Sequence, residues 1–268
     1  MTTLYAVLLE LKADGDAIIS PTQGHHAYAL FLTIMQQSNP KMAERLHGTA
    51  STKPFTISPL QGKFRSAGKE VGIIDASNYS VRITFLQEDV FAYFMDATFK
   101  AARQPLRLES AIFHIEEVAF NKQDSPLCHH QSYEDLFAEA QCAKKIRFRF
   151  LSPTAFRSGG KRNMLFPEAG LVFGSYLNRW QHFSPIKVDK LIARSWERIR
   201  VAQYALGTHI LHFNSYREVG FEGDCTFELP ADFDEDSLKT INALADFGFY
   251  CGTGAKTTMG MGQTRRVT

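Results

Sequence analysis

Between Leu4 and Phe120 the apolar pattern passes from period two to period 3.6 and back, twice, and the same order returns after Lys145. Period two marks a strand with one buried face, and 3.6 marks an amphipathic helix. The order of these changes therefore restricts the fold before any single motif is considered. Leu4–Lys12 reads as a strand, and Pro21–Gln37 as a helix with Ala27, Leu30, Phe31 and Ile34 on one stripe. Asn39-Pro40 restarts a short helix that ends near His47, with asparagine as N-cap and proline in its first position. Phe55–Ser58, Gly72–Ala76 and Val81–Phe85 alternate as strands, Glu88–Ala102 is helical, and Leu106–Phe120 is extended. In the second half, Lys145–Leu151 places Ile146, Phe148 and Phe150 on one face and Arg147 and Arg149 on the other. Pro167–Phe183 is a helix. His209–Tyr216 and Val219–Leu229 form a hairpin, with turns near Arg217 and Gly223. Asp234–Phe247 is a helix with an acidic first turn, and Phe249 onward returns as the last strand. The expected fold class is α+β: two tandem ferredoxin-like (RRM-like, βαββαβ) domains, 1–125 and 126–268, joined in the polar stretch Asn121–Ser132.

A chain of 268 residues with 44% hydrophobic residues and 22 Phe can build such a core. The four cysteines show no paired spacing, and no signal-like segment opens the sequence. Reduced thiols in a cytoplasmic protein are expected. No apolar run approaches a membrane span. Cys128-His129-His130 is the one stretch suggestive of a metal. Adjacent residues rarely converge on one ion, so no metal and no cofactor are expected.

A net charge of +2 does not itself point to a polyanion, but the charges are segregated. Between Ala140 and Pro167 stand seven basic residues and no acid; between Lys41 and Lys69 six basic residues accompany only Glu44. A basic face on a near-neutral chain follows. Sheets of the expected kind bind single-stranded RNA on an open face or in the cleft between units.

The tail Gly252-Thr-Gly-Ala-Lys256-Thr-Thr-Met-Gly260-Met-Gly262 adds a loop whose backbone N–H groups can approach a polyanion closely, with Lys256 as a point charge. It is not a nucleoside-triphosphate loop. Lys256 follows Ala255 rather than glycine, and too few residues remain for the helix that motif requires.

Three segments together carry a family resemblance: Leu46-His47 followed by Lys53-Pro-Phe-Thr-Ile-Ser58, Phe150-Leu-Ser-Pro-Thr-Ala-Phe156, and the tail Gly-x-Gly-x-Lys-Thr-x-x-Gly-x-Gly. In this order they resemble the CRISPR-associated endoribonucleases that cut repeat RNA. The resemblance implies a metal-independent nuclease acting within repeats of precursor CRISPR RNA, for antiviral defence. There the 2′-hydroxyl attacks the adjacent phosphate, leaving a 2′,3′-cyclic phosphate and a 5′-hydroxyl. It implies His47 as catalytic histidine, Lys53 as the charge-stabilising lysine, and a cleft lined by the Gly-rich loop with Gly254, Lys256, Thr257 and Gly260. Where some relatives place a tyrosine as general base this chain has Leu32, with Tyr28 one turn earlier; where others place a second histidine it has His25 and His26, and His26 is the one carried forward. Repeat RNA, precursor and processed, is the implied partner, with CRISPR effector proteins beside it, and the chain is a monomer or a homodimer. The alternative is a non-catalytic subunit that holds repeat RNA within such a complex.

The residues are consistent with this chemistry. Imidazole can exchange a proton near neutral pH, and His47 closes a short helix, where a cation is favoured. Its structural alternative is capping of that helix. His26 is equally readable as a half-buried structural histidine, Tyr28 as a core residue, and Lys53, held extended before Pro54, as an exposed loop lysine. For RNA contact the basic cluster offers Arg147, Arg149, Arg157, Lys161 and Arg162, because guanidinium can fork onto phosphate or stack on a base. His209, His212, Trp180 and Trp196 read as structural.

Overall fold

The computed structural model describes residues 2–21, 23–48, 52–158, 162–213 and 216–267. Its helices are α1 (Gln23–Ser38), α2 (Pro40–His47), α3 (Glu88–Ala101), α4 (Tyr133–Ala138), α5 (Ala169–Phe183) and α6 (Glu235–Cys251). A 3-10 helix runs Lys190–Arg198.

The first sheet orders its strands Phe55–Ile57, Asn78–Phe85, Thr3–Ala13, Ala111–Ala119, Leu106–Leu108, all antiparallel. The second orders Arg200–His212, Arg217–Glu228, Lys145–Thr154, Thr264–Val267. Counting the strands of each β-α-β-β-α-β unit, both sheets run second, third, first, fourth. That order is the ferredoxin-like one, and the fold is two such α+β units in tandem.

Local chemistry accounts for these elements. The α1 stripe Ala27, Leu30, Phe31, Ile34 is fully buried and packs, with Phe94 of α3, on Val7, Leu9 and Leu11 of the central strand. Asn39 Oδ1 accepts from Met42 N at 3.0 Å, and Pro40 takes the first helical position, so α2 starts where its cap requires. Ile146, Phe148 and Phe150 face α5 and α6 in the second core, as their alternation predicts.

Other expectations are corrected. Leu106–Phe120 is not one strand but a hairpin turning at Glu109, which adopts φ 53. The strand expected at Gly72–Ala76 lies at Glu70–Ile73, and it forms a small separate sheet with Ala17–Ile19 and Arg65–Ala67, each too brief to show as a period. The long hairpin begins at Arg200, and at its far end Phe213 N donates to Tyr216 O at 2.9 Å. Gly223, expected at a turn, lies inside a strand at φ 122; a Cβ there would stand 2.1 Å from Ala205 O, so glycine serves close strand approach. Helix α6 continues past Phe247 to Cys251, because Phe247, Tyr250 and Cys251 share one buried helical face. The last strand is only Thr264–Val267, and the Gly-rich segment is the connection before it. His129–Ser132 pairs with Thr3–Ala6, so the expected linker ends inside the first sheet.

The two units are joined through the first sheet's outer face. Arg82, only 3% exposed, donates from Nε to Leu127 O (2.9 Å), from Nη1 to Gln263 Oε1 (2.7 Å) and from Nη2 to Phe249 O (2.8 Å). Its guanidinium also lies 4.2 Å from the Phe249 ring centre. Beside it Thr84 Oγ1 donates to Tyr250 O at 2.5 Å. Helix α6 thus covers the face that an isolated ferredoxin-like sheet would leave open, while the second sheet's outer face stays accessible.

Candidate functional site at the seam of the two units

The Gly-rich connection is stitched to both units. Ile57 N donates to Thr257 O (2.9 Å) and Gly260 N to Ile57 O (3.0 Å), which fastens it to the strand that follows Lys53. Ala255 N donates to Ala155 O (2.9 Å) and Gly262 N to Pro153 O (3.0 Å), which fastens it to the second sheet. Two glycines make this closeness possible. Gly254 has φ 74, and a Cβ there would stand 2.4 Å from Ala155 O. Gly260 has φ 89 and abuts Gly24 at the start of α1, 2.8 Å from where a Cβ would lie. The expectation of a loop offering its amides to phosphate is therefore corrected in part. The N–H groups of Thr253, Ala255, Met259, Gly260, Met261 and Gly262 are engaged by protein carbonyls.

Beside this loop opens a cleft of about 1060 Å³. One wall is Thr52 and Lys53, another is Arg157 and Asn163 of the Phe156–Met164 hairpin, and a third is Ser175, Asn178 and Arg179 of α5. Tyr216, Glu218 and Gly254–Met259 complete it. Lys53, Arg157, Gly254, Lys256 and Thr257, distant in sequence, thus share one groove.

His47 is exposed as the last residue of α2, its ring 6.5 Å from that of Tyr28 with planes at 25°. Lys53 Nζ donates to the carbonyl of Gly48, the residue after His47. This bond ties the lysine of the cleft wall to the helix end that carries the imidazole. Burial lowers the Lys53 pKa from the ordinary ammonium range.

The three base candidates separate. His26 is buried with Nε2 2.9 Å from Glu109 Oε1 and 3.0 Å from Ser20 Oγ. Desolvation lowers its pKa against the pull of Glu109. Residues 26 and 28 are about 200° apart around a helix, so His26 points away from the Tyr28–His47 side, and the structure does not bring it to His47. Tyr28 is buried, stacks 6.4 Å from Phe55, and has its pKa raised by that burial. His25, half-exposed, is three residues before Tyr28, so the two are neighbours around the helix, and it follows Gly24, which touches the tail.

Lys256 is not an unattended point charge. At φ 55 its Nζ lies 2.5 Å from Glu218 Oε1, donates to Tyr216 Oη at 2.7 Å, and sits 4.6 Å from the Phe213 ring centre. Burial raises the Glu218 pKa, but its bonds with Lys256 and Asn163 outweigh that and hold it below the usual carboxylate range.

Arg147 and Arg149 stand outside the cleft, on the second sheet's outer face, where both bind Asp224 at 2.8 Å. Arg149 first, and Arg147 with it, hold the Asp224 carboxyl down at about 2. Arg162 pairs through its backbone with Ser158, and Lys161 lies outside the described residues. Among the described residues no group of three or more His, Cys, Asp or Glu is arranged to hold a metal ion, and no helix is long and apolar enough to cross a membrane. Sequence reasoning missed Arg179, Tyr216 and Glu218. Of these only Arg179 left a trace, as the single Lys or Arg in the largely apolar α5.

Comparison with known proteins accords with this arrangement. Residues 148–264 match the family described as CRISPR-associated endoribonuclease Cas6, and residues 4–138 match the CRISPR Cas6 N-terminal domain. A Streptococcus thermophilus protein described as CRISPR-associated endoribonuclease Cas6 is 31% identical over 237 residues, covering 85% of this chain and 86% of that protein. A Mycobacterium tuberculosis protein of the same description is 27% identical over 62% of this chain, a match that spans about half (51%) of that relative's length. Among solved structures, a Cas6 product complex superposes with a TM-score of 0.83 at 28% identity over the whole of both chains. Thermus thermophilus Cas6 gives 0.77 at 27%, over 100% of this chain and 99% of its own. With both halves matched in order and the fold shared end to end, the chain belongs to the Cas6 family of CRISPR-associated endoribonucleases.

Proposed function

We propose that this protein cuts precursor CRISPR RNA within its repeats by metal-independent transesterification. The observation that carries the reading is the shared groove. Lys53, hydrogen-bonded to the residue after His47, faces the Gly-rich loop across one cleft, and that loop is paired with the strand that follows Lys53. A product complex of a relative 28% identical supports RNA as the occupant.

The reaction needs a proton taken from the 2′-hydroxyl, a proton given to the departing 5′-oxygen, and a phosphorane whose added negative charge is met. His47 donates to the 5′-oxygen, a role worth roughly 10²–10⁴-fold in rate. Lys53 meets the phosphorane charge; its partly desolvated ammonium acts more strongly there than it would in open water. His25 takes the 2′-proton, because His26 is committed to Glu109 and burial keeps the Tyr28 hydroxyl protonated. The 2′-oxygen then bonds to phosphorus as the bond to the 5′-oxygen breaks, leaving a 2′,3′-cyclic phosphate and a 5′-hydroxyl.

The test is cleavage of the cognate repeat transcript in EDTA, with the product ends identified. His47→Ala should lower single-turnover cleavage by about 10²-fold or more and leave RNA affinity within a few-fold. Arrest by EDTA, normal cutting by the alanine variant, or binding of the repeat without any product would each overturn the mechanism. The last outcome is the mark of a subunit that only holds RNA.

A further inference from the structure

The Gly-rich loop leaves α6 at Gly252, and the last carbonyls of a helix have no partner within it. Here α5 supplies one. Arg179 Nη1 donates to the carbonyl of Cys251 and, at 2.8 Å, to that of Gly252. Arg179 Nη2 donates to Gly254 O at 3.0 Å and to Thr257 Oγ1 at 3.1 Å. One planar side chain thus binds four successive points of a loop whose Gly252–Thr257 stretch contains two left-handed glycines and the left-handed Lys256. The preceding turn of α5 adds a second hold. Tyr176 Oη lies 2.6 Å from Thr253 Oγ1, which lies 2.8 Å from Thr264 Oγ1 at the start of the last strand. Gly248 passes beneath the Tyr176 ring, where a Cβ would stand 2.7 Å from Cζ.

We propose that Arg179 is a positioning residue for the RNA cleft. It fixes the shape of Gly252–Thr257 before RNA arrives, and so sets affinity for the repeat rather than the rate of bond breaking. The inference rests on the nuclease reading above. Its physical basis is preorganisation: a wall already in its bound shape does not have to be ordered when the ligand binds. Only a fork can make these contacts at once. A lysine ammonium at this position keeps the charge but presents a single nitrogen, and cannot span Cys251 to Thr257.

Arg179→Lys and Arg179→Met in the full chain test this. Both should raise KM and Kd for repeat RNA by about 10- to 100-fold, the size expected for losing charge-assisted hydrogen bonds that maintain the binding shape. Single-turnover kcat at saturation should stay within about threefold. The salt dependence of binding in Arg179→Met should keep its slope, because no phosphate contact is removed; a direct contact would flatten it by about 0.7–0.9. Without RNA, amide exchange at Thr253, Ala255 and Gly262, which donate to carbonyls in the native loop, should quicken in both variants.

Wild-type affinity in Arg179→Lys, a flattened salt slope, or unchanged exchange would overturn the proposal. If Arg179→Met fails to fold, Tyr176→Phe serves in its place. It removes only the bond to Thr253 and should shift exchange and KM in the same direction by less. Should the wild-type protein bind no repeat RNA, the nuclease reading fails, while the exchange data still decide whether Arg179 shapes the loop.

Discussion

Replacing Arg82 with methionine should weaken the seam between the two units more than any single truncation in either core's periphery. The arginine is buried without a carboxylate among its hydrogen-bond partners; burial pushes its pKa down to about 10, so holding the charge there already carries a desolvation penalty. What stabilises it is three acceptors, Leu127 O, Phe249 O and Gln263 Oε1, and the Phe249 ring. Methionine removes the charge and with it the penalty, but leaves two backbone carbonyls and an amide oxygen in a dry interface. Each such group costs about 1–3 kcal/mol when left unpaired. Set against the relieved desolvation, a net loss of about 3–5 kcal/mol is expected. For a chain of this size that is a fall in Tm of roughly 6–15 °C. Calorimetry measures it directly. A melt within about 2 °C of the parent, with one transition of unchanged enthalpy, would refute the argument that these bonds join the units. Two separated transitions would show the same bonds to be the source of their cooperativity.

Two further perturbations follow from ion pairs. Lys256→Ala leaves the Glu218 carboxylate facing the cleft without its 2.5 Å partner, so repeat-RNA affinity should fall about tenfold by repulsion and lost loop order, and adding Glu218→Gln should recover most of it. Filter binding on the two single variants and the double variant decides this, since a lysine that contacted phosphate directly would leave the double variant weak. Asp224 is held at about 2 in the folded protein against an ordinary 3.8. Its contribution to stability is therefore complete above pH 4 and lost as pH falls from there through 2. Denaturant titrations across that window should show Asp224→Asn losing part of this acid dependence, and an identical pH profile would contradict the pairing with Arg147 and Arg149.

Elements whose signal is local were legible in the sequence. Asn39-Pro40 announces α2 because cap and first turn are set within four residues. Ile146, Phe148 and Phe150 announce a strand because alternation is itself the cause of their burial. Where the cause lies elsewhere in the chain, the same reading fails. Gly223 looks like a turn but answers to Ala205 on a neighbouring strand. Arg147 and Arg149 look like unattended cations, yet their partner, Asp224, comes from the strand beside them. Phe249–Cys251 reads as the start of a strand because its aromatic residues favour one, whereas packing of Phe247 on Tyr133 and of Gly248 on Tyr176 carries the helix on through it. Of the expected contacts, those that gather in the cleft come from segments with glycine or proline within two residues of a basic one: Lys53-Pro54, Arg157, and Gly254 to Thr257. Arg179 had no such mark, since a lone arginine in an apolar helix has no visible target until α6 is folded against it.

The placement of the cleft follows from one segment serving both units. Residues 252–263 end α6, pair with Ile57 of the first sheet, and deliver Gln263 to Arg82 before entering the second sheet at Thr264. Ile57 is in turn only a short strand away from Lys53 and the end of α2, where His47 stands. Any motion of one unit against the other would therefore move the loop wall relative to His47, and in the proposed reaction, proton transfer from that imidazole tolerates little displacement. Arg82 opposes that motion at Gln263, while Arg179 holds the other end of the same segment, at Gly252, to α5 and so keeps the shape of the loop wall. The positively charged side chains that matter most to the geometry of this site are thus two that face inward, toward backbone carbonyls, rather than the surface cluster that first suggests a polyanion.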